Sequence, residues 1–106
     1  MQIHQLDSIE ARELVKGFRV KFVHSESMTF AYWEISEGAS LPGHAHPPEQ
    51  VVNMLDGRFR FTVNGETRVL APGDVVVIPP NATHSGTALT DCRILDVFHP
   101  VREDYR

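Results

Sequence analysis

Two dipeptides, Asp56-Gly57 and Asn64-Gly65, constrain the fold of this chain more than any other feature of its sequence. Tight hairpin turns need left-handed backbone, which Gly adopts freely because it has no Cβ and which Asn and Asp tolerate. Between the two turns runs RFRFTV, where Arg58 and Arg60 alternate with Phe59 and Phe61. That period belongs to a strand with one wet face and one packed face, so the arginines read as a solvated surface. VVNML precedes the first turn and ETRVL follows the second, and the three segments are expected to form an antiparallel meander.

The rest of the chain repeats the theme. RVKFVH begins at Arg19 and MTFAYWEI follows a polar break at Ser25–Ser27; VVVI, SGTAL and CRILDVF come after the turn Ala71-Pro72-Gly73-Asp74. Val75–Ile78 is continuously apolar and β-branched, the composition of a buried strand. Only residues 3–16 offer a helical turn, capped by Asp7 or Ser8 and running through Leu14, with apolar positions too irregular for an amphipathic stripe. Short strands with frequent turn signals point to an all-β barrel or sandwich. With 106 residues, 42% of them hydrophobic, the chain has material for one modest core, hence one domain spanning residues 1–106.

Charge and cysteine content narrow the function. A net charge of −4, with no run of Lys or Arg to neutralise a phosphate backbone, argues against nucleic-acid binding. No apolar run reaches the ~18 residues of a membrane-spanning helix, and the N-terminal MQIHQLDSIEARE has acids where a signal peptide has a basic then apolar stretch. The expectation is a cytoplasmic protein with no membrane association. Cys92 is the only cysteine, so a thiolate cluster is excluded, and it reads as a buried or half-buried thiol.

The candidate chemistry lies in Gly38–Gly57, GASLPGHAHPPEQVVNMLDG. His44 and His46 present both imidazoles on one face of an extended segment, a metal-ligand geometry. Gln50 shares their parity; Glu49 points the other way unless Pro47 and Pro48 break the alternation, and is the fallback ligand. In Gly73–His84 (GDVVVIPPNATH), Pro79, Pro80 and Asn81 turn the chain just before a third imidazole, His84. His4 and His24 lie outside any ligand spacing and read as surface or satisfied polar residues. His99 is less clear, because it sits close to the tail residues considered below. Near the C-terminus, Asp96 and Phe98 share parity on a strand otherwise made of Ile94, Leu95 and Val97, so a carboxylate is aimed at the face that Phe98 helps to build. Such a lone Asp needs a partner. A salt bridge to Arg102, capping of the terminal turn, and catalysis all remain open for it.

The spacing of Gly38, His44, His46, Gln50 and Gly57, with Gly73, Pro79 and His84 in the second stretch, resembles the two motifs of the cupin superfamily. Three positions depart from that pattern: Gln50 stands for the usual Glu, Asn81 for a Gly and Ala88 for a final Asn. The resemblance implies a cupin jelly-roll barrel with one divalent transition metal ion on His44, His46, Gln50 and His84. Nitrogen and oxygen donors suit Mn, Fe, Co, Ni or Zn alike. A neutral amide in place of a carboxylate leaves the ion its full charge and strengthens its Lewis acidity. Small cupins commonly pair through outer sheet faces, and MTFAYWEI carries aromatic groups on both faces, so a homodimer is expected.

The HxHPxEQ form of the first motif and a tail containing Asp96, Phe98, Pro100, Arg102, Glu103, Asp104 and Tyr105 further resemble the small cupins related to the pectin-degradation protein KdgF. The similarity runs from about Gly17 to Tyr105; His99 departs from it, standing where a small residue is expected. This resemblance implies opening of the ring of 4,5-unsaturated monouronates, released from pectin or alginate, to the linear keto form. It assigns catalysis to Asp96 and Arg102, with Arg102 and Phe98 also binding substrate. Asp96 would move a proton while Arg102 holds the substrate carboxylate. Two other classes share the ligand set: a metal-dependent oxygenase-type cupin, betrayed by oxygen consumption, and a non-catalytic small-molecule-binding cupin, betrayed by metal-free folded protein.

Overall fold

A computed structural model describes residues 1–106. Ten antiparallel strands form two facing sheets: β1 (Arg12–Val15), β2 (Phe18–His24), β3 (Thr29–Ile35), β4 (Ser40–His44), β5 (Glu49–Asp56), β6 (Phe59–Val63), β7 (Glu66–Leu70), β8 (Val75–Ile78), β9 (His84–Ala88) and β10 (Cys92–His99). One sheet has the order β1-β2-β3-β10-β5-β8 and the other β4-β9-β6-β7. This is the all-β jelly roll expected from the sequence. The core between the sheets is built by inward residues such as Phe18, Val52, Met54, Phe59, Phe61, Ile78 and Ile94. Burying each such side chain is worth about 1.5–3 kcal/mol.

The two turn signals have different outcomes. Asn64 and Gly65 have φ of 48° and 82°, and the hairpin they close pairs Val63 with Glu66 at the start of the β6–β7 ladder. Asp56-Gly57 closes no hairpin, because β5 and β6 belong to opposite sheets, so the expected three-stranded meander reduces to one hairpin. Both edges of β5 are already paired, to β10 and to β8. Gly57, at φ 87°, instead carries the chain from one sheet to the other against the Asp91 carbonyl, which a Cβ would overlap.

Two further expectations are corrected. Residues 3–16 form a 3-10 turn at Leu6–Ser8 followed by strand β1, and no side chain caps the turn. Without an apolar stripe to bury, a helix there gains little from packing. Val75–Ile78 is indeed a strand, but it lies at a sheet edge: Ile78 is fully buried whereas Val75 and Val77 are each 60% exposed. Its apolar run reflects an outward face as well as an inward one. No helix is long and apolar enough to cross a membrane.

A second, smaller cluster of Val20, Ala31 and Phe98 packs with Phe22, Trp33 and Tyr105. Here β10 brings Asp96 and Phe98 inside through the parity read from sequence: Cys92, Ile94, Asp96 and Phe98 are buried while Arg93 and His99 are exposed.

Candidate metal centre and active site

A cavity of about 150 Å³ between the sheets is lined by His44, His46, Gln50, His84, Asp96, Phe98 and Arg102, so the fold brings together every side chain singled out for the site. His44 closes β4 and pairs across the ladder with His84, the first residue of β9. His46 follows in the connection to β5, where Gln50 is the second residue. Asn81, at φ 65°, adopts the left-handed turn that its Gly-like role requires.

All three imidazoles are oriented by the backbone. His44 Nδ1 lies 3.0 Å from the Pro42 carbonyl, His46 Nδ1 2.9 Å from that of Pro48, and His84 Nδ1 2.9 Å from that of Ala82. A carbonyl only accepts, so each Nδ1 carries the proton and each Nε2 keeps its lone pair in the neutral ring. One ring nitrogen from each of the three lies within 4.8 Å of the others. His84 Nε2 is buried without a partner. His46 Nε2 faces Gln50 Oε1 at 2.9 Å, two acceptors that attract only with a cation or a proton to share. Burial, and next the Arg102 charge, lower the pKa of His46, and burial holds His84 down to about 4. Protons are therefore disfavoured where lone pairs converge, and the residues present fit a metal cation.

Glu49, the fallback ligand, is exposed, and Gln50 is buried. The alternation thus survives the two prolines. His99 is exposed at the end of β10, outside the cavity lining. His4 is exposed, and His24 is satisfied by Thr29 Oγ1 at 2.9 Å and stacked on Phe22, as a plain polar residue should be. Cys92 is buried, and burial raises its thiol pKa.

Opposite the open alternatives left by the sequence, Asp96 forms no ion pair with Arg102. Its Oδ1 is buried without a hydrogen-bond partner, and burial pushes its carboxyl up to about 7 against the contrary pull of Gln50, Trp33 and Arg102. Arg102 instead pairs with Asp104, through Nε–Oδ1 at 2.9 Å and Nη2–Oδ2 at 2.6 Å. Its guanidinium also lies over the rings of Tyr105, 4.1 Å from the centroid, and Phe98, at 4.9 Å. Thr29 Oγ1 accepts the Arg102 backbone N–H at 2.9 Å and fixes where the tail enters the site.

Sequence reasoning did not single out Trp33 for the site, and it lines the cavity. The signal was its parity: on β3 it shares a face with Ala31 and Ile35, both buried. Asp104 and Tyr105 stood in the tail pattern, but their grip on Arg102 needs the chain to turn back after β10.

The sheets and their histidine-lined interior define a cupin, and the chain belongs to that family: the Cupin domain model matches residues 31–98. Within it, the chain is 28% identical over 102 residues to the pectin degradation protein KdgF of Dickeya dadantii, covering 93% of each protein. It is equally identical to an uncharacterized protein of Streptomyces coelicolor, over 94% of this chain and 97% of that one. Among solved structures, KdgF from Halomonas sp. matches with a TM-score of 0.93 and 26% identity, over 100% of this chain and 99% of that one. An RmlC-like cupin from Shewanella frigidimarina matches with a TM-score of 0.94 and 25% identity, over 100% and 96%. The chain is thus a small cupin resembling KdgF.

Proposed function

We propose that this protein is an enzyme that opens the ring of 4,5-unsaturated monouronates, the sugar acids released in pectin or alginate breakdown, to give the linear keto acid. The observation that carries the reading is a buried carboxylate, Asp96, sharing one small cavity with three converging imidazoles and a cradled guanidinium, Arg102. Similarity to a protein described as acting in pectin degradation supports the substrate class. His44, His46, His84 and Gln50 would hold one divalent ion of the Mn, Fe, Co, Ni or Zn group. Bound there, the ion supplies Lewis acidity towards substrate oxygen atoms, undiminished by ligand charge because all four donors are neutral.

The overall reaction is an isomerisation. The ring hemiacetal loses its hydroxyl proton, that carbon becomes a carbonyl as its bond to the ring oxygen breaks with the electron pair leaving on oxygen, and the resulting enolate takes a proton on carbon to become the ketone. No co-reactant is needed, since the proton lost from oxygen balances the one gained on carbon. Asp96 takes the hydroxyl proton and gives one to carbon; burial raises its carboxyl well above the ordinary carboxylate range, to about 7 in the metal-free chain, which suits a group that must both accept and donate a proton. Arg102 binds the substrate carboxylate along the guanidinium edge that Asp104 leaves free. Phe98, beneath that guanidinium and 5.5 Å from the His46 ring, bounds the sugar between charge and imidazoles.

Ring opening destroys a conjugated double bond, so loss of ultraviolet absorbance after lyase digestion of pectin or alginate reports it. Metal-loaded protein should accelerate the decay well above the spontaneous rate. No acceleration on either uronate would refute this reaction.

A further inference from the structure

Three buried side-chain polar atoms lack a partner in this protein: His84 Nε2, Trp33 Nε1 and Asp96 Oδ1. The first belongs to the imidazole cluster. The other two are a donor and an acceptor, and they lie together. Trp33 pairs with Ile94 and Asp96 with Ala31 across the β3–β10 ladder, so Trp33 and Asp96 are diagonal neighbours on the inward face, and both line the cavity. An indole N–H can only donate and an ionised carboxylate oxygen can only accept; Trp33 lies close enough to draw the Asp96 carboxyl pKa down, yet the two complete no hydrogen bond of ordinary length and angle. Buried polar groups are almost always satisfied, and an adjacent unmatched donor and acceptor are both satisfied by one group that does each, namely a hydroxyl.

We infer that Trp33 and Asp96 form a subsite for a single ligand hydroxyl, the indole N–H donating to its oxygen and its proton being donated to Asp96 Oδ1. Trp33 is then a specificity-determining residue: it selects hydroxylated acids over acids of the same ring size that lack the hydroxyl. Such discrimination is steep, because a ligand without the group leaves a buried donor and acceptor unpaired. The inference rests on the sugar-acid reading for the class of ligand, though not for the reaction performed on it.

Trp33 is the only tryptophan of the chain, so its fluorescence reports directly on its own subsite. Metal-loaded wild type would be titrated with galacturonate and with tetrahydropyran-2-carboxylate, a ring carboxylate without hydroxyls, following Trp33 emission and heat of binding. Galacturonate is expected to bind at least about tenfold more tightly and to shift the emission. Trp33→Phe keeps a smaller aromatic ring and removes the N–H; by calorimetry it should lose about tenfold in galacturonate affinity and keep its affinity for the hydroxyl-free acid within about twofold. Equal binding of both acids by the wild type, or no detectable binding of galacturonate, overturns the inference. So does a Trp33→Phe variant that weakens both acids alike, which marks Trp33 as a wall. The wild-type comparison needs no variant and stands even if Trp33→Phe fails to fold. These readouts are independent of turnover: the predicted binding pattern without ring opening leaves the subsite standing and the reaction refuted. Ring opening with undiminished kcat/KM in Trp33→Phe does the reverse.

Discussion

Asp104 grips Arg102 along one edge of its guanidinium, Nε to Oδ1 at 2.9 Å and Nη2 to Oδ2 at 2.6 Å, while the Tyr105 ring lies 4.1 Å from the same guanidinium carbon. A planar fork held this way has one edge committed and one available. Asp104 is 60% exposed, so solvent screens part of the attraction and its value is chiefly geometric. Asp104→Asn should therefore raise KM for the uronate by about three- to tenfold with a smaller change in kcat, and Arg102→Lys, which loses the fork altogether, should raise it more. Steady-state kinetics on the two variants checks this; an unchanged KM in both contradicts the assigned role.

Metal binding should depend on all three imidazoles. Wild type is expected to hold about one divalent ion per chain, and His44→Ala, His46→Ala or His84→Ala each to lose most of it, since three neutral nitrogens carry most of the coordination. Gln50→Ala should be milder and Glu49→Ala, at an exposed position, silent. Elemental analysis after incubation with Mn, Fe, Ni or Zn decides between these outcomes. Protein that takes up none of them contradicts the site.

Burial of Asp96 has a stability consequence in chelator-treated protein. Its pKa rises on folding from 3.8 to about 7, so the folded chain binds the proton more tightly than the unfolded chain. Its favourable contribution is full below pH 3.8 and is lost as pH rises towards 7. Asp96→Asn removes that loss, so the stability of the variant relative to wild type should grow from pH 4 to 7 and level off above. His84, held down to about 4, acts in the opposite sense below pH 6.5, but it is common to both proteins and cancels in the difference. Urea denaturation at several pH values measures it, and a pH-independent difference would show that Asp96 is not desolvated as described.

The outer face of the larger sheet carries an unbroken apolar row, Val23, Phe30, Val97, Val51 and Val77, each the cross-strand partner of the next. Val77 is 60% exposed. A second copy of the chain covering this row is the expected arrangement, because exposed contiguous apolar surface favours association. Light scattering should give a dimer for wild type and a monomer of about half the mass for Val77→Lys. A wild-type monomer at micromolar concentration refutes the homodimer.

The parts of this fold that were legible in the sequence share a local cause. Asn64-Gly65 closes its hairpin because the two residues set the backbone themselves, and the parity of Asp96 with Phe98 follows from strand geometry alone. His44, His46 and Gln50 were found through their shared parity along one extended segment, and His84 through its place just after the Pro79–Asn81 turn. What was hidden depended on partners remote in sequence. Asp56-Gly57 carries the same turn signal as Asn64-Gly65, but β10 and β8 occupy both edges of β5 and turn the dipeptide into a crossover between sheets. Whether Val75–Ile78 was buried on one face or two depended on its place at an edge, which no run of valines announces. The partner of Arg102 was equally out of reach: Asp96 and Asp104 both lie close to it in the chain, and only the path of the tail after β10 separates them.

Asp96, buried beside the imidazole cluster, is expected to carry the proton transfers of ring opening. Asp96→Asn preserves shape and removes the transferable proton, and catalysis of this kind is commonly worth ~10²- to 10⁴-fold. The direct measurement is the decay of ultraviolet absorbance of an unsaturated monouronate with wild type and Asp96→Asn side by side, both loaded with metal and both checked for metal content. Wild type should accelerate the decay, and the variant should stay near the spontaneous rate with its metal retained. Full activity in Asp96→Asn would contradict that role.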